Sequence, residues 1–114
     1  MMFPIIIRIR GVTYTLYEEK NVYSVTGYDE DTIKPATIIL RTYDDLPVTS
    51  IADEAFFLAS DLVAVKVQDS ILSIGNNAFY SCQELTSISL PDSLTSIGGR
   101  GLFFLSIIRN YNHS

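Results

Sequence analysis

The sequence predicts an α+β to mainly-β fold. It is a short solenoid of parallel strands and very short helical turns, with an antiparallel β-hairpin at its N-terminal end. Three observations carry this. Apolar residues recur at a constant offset of 23 residues. Short runs of β-branched residues lie between them, bounded by turn residues. Ahead of the repeats, two β-rich segments flank a polar loop. The 114 residues leave room for one domain and no second core.

The elements follow in chain order. Ile7-Arg8-Ile9-Arg10 alternates like an edge strand. Val12 to Tyr17 and Val22 to Tyr28 are rich in β-formers, and Glu18-Glu19-Lys20-Asn21 joins them as a polar loop, which predicts a hairpin. Residues 1–35 then form a cap and residues 36–114 the repeats, all within one domain. The cap covers apolar turns that would otherwise aggregate. Ala36-Thr37-Ile38-Ile39-Leu40 reads as the first strand of the stack, with Leu40 in the place of Leu90. Leu40 lies 11 residues before Ile51, against 7 from Leu90 to Ile97, so four extra residues predict a looser turn around Tyr43 to Pro47.

The repeat starts in earnest at Val48-Thr49-Ser50-Ile51, matched by Ile71-Leu72-Ser73-Ile74 and Leu94-Thr95-Ser96-Ile97. The register carries on through Ala55, Ala78 and Gly101, through Phe56, Phe79 and Leu102, and through Ala59, Cys82 and Leu105. Periods of 20 to 29 residues belong to leucine-rich-repeat solenoids. No single unit can bury its apolar side alone, so ladders of Ile51, Ile74 and Ile97 and of Phe56, Phe79 and Leu102 are expected in the core. Asp53 and Asn76 stand where a short helical turn wants an N-cap, and Gly99 replaces them in the third unit.

The middle unit, Leu72-Ser73-Ile74-Gly75-Asn76-Asn77-Ala78-Phe79-Tyr80-Ser81-Cys82-Gln83-Glu84-Leu85-Thr86-Ser87-Ile88-Ser89-Leu90-Pro91, resembles the BspA-like leucine-rich repeat. The first unit departs by Ala52 for the glycine and Ala59 for the cysteine; the third has Gly101-Leu102 for Ala-Phe and Leu105 for the cysteine. The likeness is clear over residues 36 to 98, blurs to about 108 and then ends. The resemblance implies a non-catalytic interaction module of the cell surface or of secreted proteins, linked to adhesion. A structural or self-assembling remnant with no external ligand is the alternative. No signal peptide is visible, because Arg8 and Arg10 follow the apolar start instead of preceding it.

Composition narrows the chemistry. Eight Lys and Arg against 13 Asp and Glu give a net charge of −5, the wrong sign for a nucleic-acid surface. Met1 to Ile7 is the longest apolar run, too short for membrane insertion. The single cysteine, Cys82, shares its slot with Ala59 and Leu105 and reads as a small buried hydrophobe. The one histidine, His113, has no partner placed by a motif, so no catalytic residues are expected. Asp29-Glu30-Asp31 and Asp44-Asp45 lack calcium-loop spacing, and Gly98, Gly99 and Gly101 lack a phosphate-loop context, so no metal or cofactor is expected. Asn112-His113-Ser114 matches a glycosylation sequon by three residues only.

The residues left for function are those pointing out of the sheet. With Leu85, Ile88 and Leu90 turned inward, Thr86, Ser87 and Ser89 turn outward. One unit to either side come Val63, Ala64 and Lys66, and Arg109, Asn110 and Asn112. Lys66, Thr86, Ser87, Ser89, Arg109 and Asn110 are therefore the candidate residues for binding an unidentified protein partner. The same pattern also fits plain solvent-facing strand positions. At the far end, Phe103 and Phe104 replace Tyr80 and Ser81, which predicts burial against a second copy or further repeats.

Overall fold

The structure, a computed structural model, describes residues 3–102 and the backbone of 112–113. Its strands run β1 (Ile5–Ile9), β2 (Val12–Tyr17), β3 (Val22–Tyr28), β4 (Ala36–Ile38), β5 (Thr42–Tyr43), β6 (Leu46–Ile51), β7 (Ala64–Lys66), β8 (Ser73–Ile74), β9 (Ser87–Leu90), β10 (Ser96–Ile97) and β11 (Asn112–His113). One sheet has the order β1-β2-β3-β6-β8-β10, with β5 paired to β6; the other has the order β11-β9-β7-β4. The core lies between them.

The expected hairpin forms as β2 and β3, paired antiparallel, and β1 adds an edge strand to β2. Arg10 at φ 51° and Gly11 at φ 82° turn the chain between β1 and β2. A two-residue hairpin loop needs both of these positive φ values, and a side chain at Gly11 would run into the Ile33 backbone. From β3 to β10 the pairing along this sheet is parallel, and only the side strand β5 pairs antiparallel, with β6. Ser50, Ser73 and Ser96 stand side by side, as do Ile51, Ile74 and Ile97. In the second sheet Val65 faces Ile88 and Lys66 faces Ser89. Ser89 in turn faces Asn112, so the 23-residue register persists beyond residue 108, where the sequence pattern fades.

The extra residues before Ile51 are not a loose turn. Asp44 and Asp45, at φ 51° and 64°, close a tight hairpin between β5 and β6. The register sets Ile38 beside Lys66. That puts Ile39, fully buried, in the slot expected for Leu40, and makes the insertion five residues, since Ile38 precedes Lys66 by 28.

The third side of each turn also departs from expectation. No helix forms among the described residues. Glu54, Asn77 and Arg100 take φ values of 58°, 55° and 56°, and Leu58 and Ser81 take 63° and 61°. These left-handed residues, 23 apart within each set, stop a helix from propagating. Along this side, alternate N–H groups reach the neighbouring turn instead, those of Glu54, Leu58 and Asn77 among them. Glu54, Phe56 and Leu58 donate to the carbonyls of Asn76, Ala78 and Tyr80 at 2.9, 2.8 and 3.0 Å, and Asn77 and Phe79 donate to Gly99 and Gly101 at 3.0 and 3.1 Å. Asp53 and Asn76 are not caps of their own turns. Asp53 Oδ1 accepts from the Asn76 N–H and Asn76 Oδ1 from the Gly99 N–H, both at 2.7 Å, so each side chain ties its turn to the next.

Gly75 and Gly98 make this approach possible. A Cβ at Gly75 would strike the Asp53 backbone and come within 2.7 Å of Ala52 C; at Gly98 it would lie 2.8 Å from Gly75 C. Ala52 is tolerated in the first unit because its neighbour there is β3, to which its N–H donates at Val25 O, 2.8 Å.

The ladders fill the core. Tyr28, Phe56 and Phe79 stack with centroid distances of 6.1 and 5.2 Å, and Phe57 stacks on Tyr80 at 5.7 Å. Ile51, Ile74, Phe56 and Phe79 are buried as expected, and Leu102 is half-buried. Ile97 is not: it is 43% exposed, because no described turn packs on it from the far side.

Phe79→Ala removes the centre of the stack and should lower stability by about 3–5 kcal/mol. The thermal midpoint should then fall by roughly 12 °C or more. Gly75→Ala should cost roughly 1–3 kcal/mol through forced separation of two turns. Calorimetry of both variants checks the pair. Gly27→Ala serves as control, since a Cβ there meets only the Thr13 side chain at 3.9 Å.

Candidate interaction surface

The outward positions of the second sheet are held in rows by strand register. Ala64 stands beside Ser87, and Ile38, Lys66 and Ser89 form the next row. Thr86 and Ser87 both donate their N–H groups to Val63 O, at 2.9 and 3.3 Å, which fixes the entry to β9. Lys66, Thr86 and Ser87 are exposed and Ser89 is half-buried. The structure therefore brings these four candidates onto one face, flanked by the exposed apolar side chains of Ile38 and Val63. Arg109 and Asn110 lie outside the described residues, as do Phe103 and Phe104. The face offers hydroxyl donors and acceptors, one ammonium group and apolar patches. Those groups can hydrogen-bond, pair with charge and pack against a partner surface.

The one cysteine is sealed. The Cys82 thiol is fully buried and donates to Phe56 O at 3.0 Å. Burial, opposed by a backbone bond at Ala59, pushes its pKa from the ordinary 9.0 up to about 11. Among the described residues no group of three His, Cys, Asp or Glu side chains could hold a metal ion, and no helix is long and apolar enough to cross a membrane.

One concavity was not anticipated from sequence. A groove of about 790 Å³ runs between the N-terminal segment, the β2–β3 turn and the outer side of β6 and β8, with Phe3, Tyr17, Glu18 and Leu72 along it. Its sign in the sequence is Leu72, an exposed leucine where the other two units carry Thr49 and Thr95. The rest comes together only in three dimensions.

These features define a leucine-rich-repeat solenoid. The sequence pattern described as BspA type leucine rich repeat region (6 copies) matches residues 45–112, and the chain belongs to that family. A comparison with curated proteins finds no match. Among solved structures, a leucine rich cell surface protein from Faecalibacterium prausnitzii is similar, with a TM-score of 0.70 and 23% identity over 99% of this chain. This chain spans 31% of that protein's length. A leucine-rich repeat protein from Bacteroides capillosus gives a TM-score of 0.68 at 21% identity, over 96% of this chain and 98% of its own. One from Bacteroides ovatus gives 0.67 at 29% identity, over 77% of this chain and 24% of its own.

The thiol makes a prediction about pH. Below pH 9 both folded and unfolded chains carry neutral Cys82; from there to about pH 11 only the unfolded chain ionises. Its contribution to stability is complete below the unfolded pKa and is lost as pH rises through that window. Cys82→Ala should flatten this part of the decline in thermal midpoint with pH. Labelling of native Cys82 by a disulfide reagent should be slow at neutral pH and accelerate only in denaturant.

Proposed function

We propose that the chain is a non-catalytic protein-interaction module of a cell-surface or secreted leucine-rich-repeat protein. It binds its partner through the outer face of the second sheet. The observation that carries this reading is the row structure of Lys66, Thr86, Ser87 and Ser89. β7, β9 and the Thr86 bond to Val63 hold their backbones at fixed spacing, so little backbone freedom is left to be lost on binding. Arg109 and Asn110 belong to the same proposed surface by their offset of 23 from Thr86 and Ser87. Membership of the family supports it, since such repeats present broad faces to other proteins. The surface-bound part of the proposal draws on the likeness to the cell surface protein of Faecalibacterium, and the adhesive part on the family resemblance of the repeats.

A second reading, self-assembly without an external ligand, draws on Ile97, an apolar ladder residue left 43% exposed. Sedimentation across a dilution series separates the two. A concentration-independent monomer removes self-assembly, and a dimer lost on Ile97→Lys favours it.

Binding of the purified chain to an immobilised panel of extracellular-matrix proteins tests the main reading. Lys66→Glu combined with Ser87→Arg should weaken any interaction at this face by about tenfold or more, since charge and bulk both change at one patch. The thermal midpoint should stay unchanged, because both side chains are solvent-facing. Undiminished binding by the double variant would contradict the assignment of this face.

A further inference from the structure

The second sheet has an open edge at β4, and a pocket lies beside it. Among the described residues β4 pairs only with β7, in parallel. Pro35 O accepts from the Val63 and Ala64 N–H groups at 2.8 and 2.9 Å, and the Ile39 N–H donates to Lys66 O at 3.1 Å. In a parallel ladder the bonding residues alternate, so Pro35, Thr37 and Ile39 face β7. The N–H and C=O groups of Ala36 and Ile38 then point to the open side. Thr37 is buried, whereas Ala36 and Ile38 are exposed, Ile38 to 62%.

A cavity of about 260 Å³ opens along this edge. Ile9, Val12, Tyr14 and Leu40 give it an apolar wall, and Arg10 and Lys34, both exposed, stand at its opening. The Tyr14 hydroxyl accepts the Leu40 N–H at 3.1 Å, so the wall is fixed and its own polar group is satisfied. Lys66, in register with Ile38, adds a third cation beside the strand. The only ion pair among the described residues is Arg41 with Asp69, so Arg10, Lys34 and Lys66 are bound to no described carboxylate. The pocket itself is lined by Arg10 and Lys34 and by no carboxylate, whereas Asp29, Glu30 and Asp31 line a separate concavity with Arg8.

We propose that β4 takes up a short extended peptide as an added strand, with an apolar side chain in the pocket and a carboxylate between Arg10 and Lys34. Main-chain bonds to Ala36 and Ile38 supply affinity, and the pocket and cations supply selectivity. Pro35 ends the edge on one side and the Leu40 bond to Tyr14 ends it on the other, so the docked strand is about three residues long. The occupant is therefore an acidic peptide segment of another protein. The proposal rests on the reading of the chain as an interaction module but not on the row from Thr86 to Ser89.

A phage library of linear decapeptides selected against the whole chain tests it, followed by amide exchange of the chain with a synthetic copy of the strongest binder. Selected peptides should carry Asp, Glu or a free C-terminal carboxylate next to an apolar residue. On binding, the Ala36 and Ile38 amides should slow by about tenfold or more, while Thr37 and Ile39, already bonded, change little. Arg10→Glu with Lys34→Glu should weaken binding by about tenfold or more and reverse its salt dependence, because salt then screens repulsion in place of attraction. Ile38→Pro, which deletes an outward donor and spares the β4–β7 ladder, should abolish it without loss of fold. Protection at Thr86 to Ser89 or along the Tyr17 groove would overturn the β4 site and leave the interaction-module reading standing. Peptides without carboxylates that are indifferent to the charge reversal would also overturn it. The absence of any binder would count against both.

Discussion

Every turn of this molecule depends on backbone meeting backbone one repeat away. Translation by 23 residues carries Ser50 to Ser73 to Ser96 and Val65 to Ile88. For that translation to hold, nothing may stand between successive turns on any side. Gly75 and Gly98 keep one corner clear, and Asp53 and Asn76 bind the next N–H across it. The apolar ladders follow as a consequence. Phe56 and Phe79 lie 5.2 Å apart with rings 9° from parallel because their backbones are already in register. A side chain with no equivalent above it, such as Ile97, falls out of the core.

The N-terminal end meets the same constraint without a preceding repeat. β3 takes the place of a turn: it pairs with β6, its Ser24 shares hydroxyl bonds with Ser50, and its Tyr28 starts the aromatic stack. The first repeat can then carry Ala52 in place of glycine. The short β5–β6 hairpin absorbs the five additional residues at the surface, where Asp44 and Asp45 tolerate the left-handed conformation. The same join leaves β4 as an edge, because β3 belongs to the other sheet. Completion of one sheet by the cap thus leaves an opening in the second.

What could be read from the sequence was whatever the repeat writes into residue type. The ladders at Ile51 and Ile74 and at Phe56 and Phe79, the hairpin at 12–28 and the outward row at Lys66 and Ser89 were legible, since burial selects for apolarity and alternation marks the faces. The third wall was not. Its left-handed residues are Glu54, Leu58, Asn77, Ser81 and Arg100, and of these only the asparagine favours that conformation. Elsewhere a left-handed residue costs about 1–2 kcal/mol, and here hydrogen bonds between turns offset it; apart from those of Asp53 and Asn76, these use main-chain atoms and leave no mark on side-chain identity. The β4 pocket was illegible for a different reason. It joins residues 9–14 to residues 34–40, and no local pattern brings those together.

Native-state amide exchange, residue by residue, tests the central claim most directly. If bonds between turns couple all sides of the stack, the amides of Phe56, Leu58, Asn77 and Phe79 should open with the same free energy as those of Ala64 and Val67, which are bonded within the second sheet, as one cooperative unit. Exchange at Phe56 to Phe79 that is orders of magnitude faster than in the sheet strands would contradict it, since that is how a set of independent surface loops behaves.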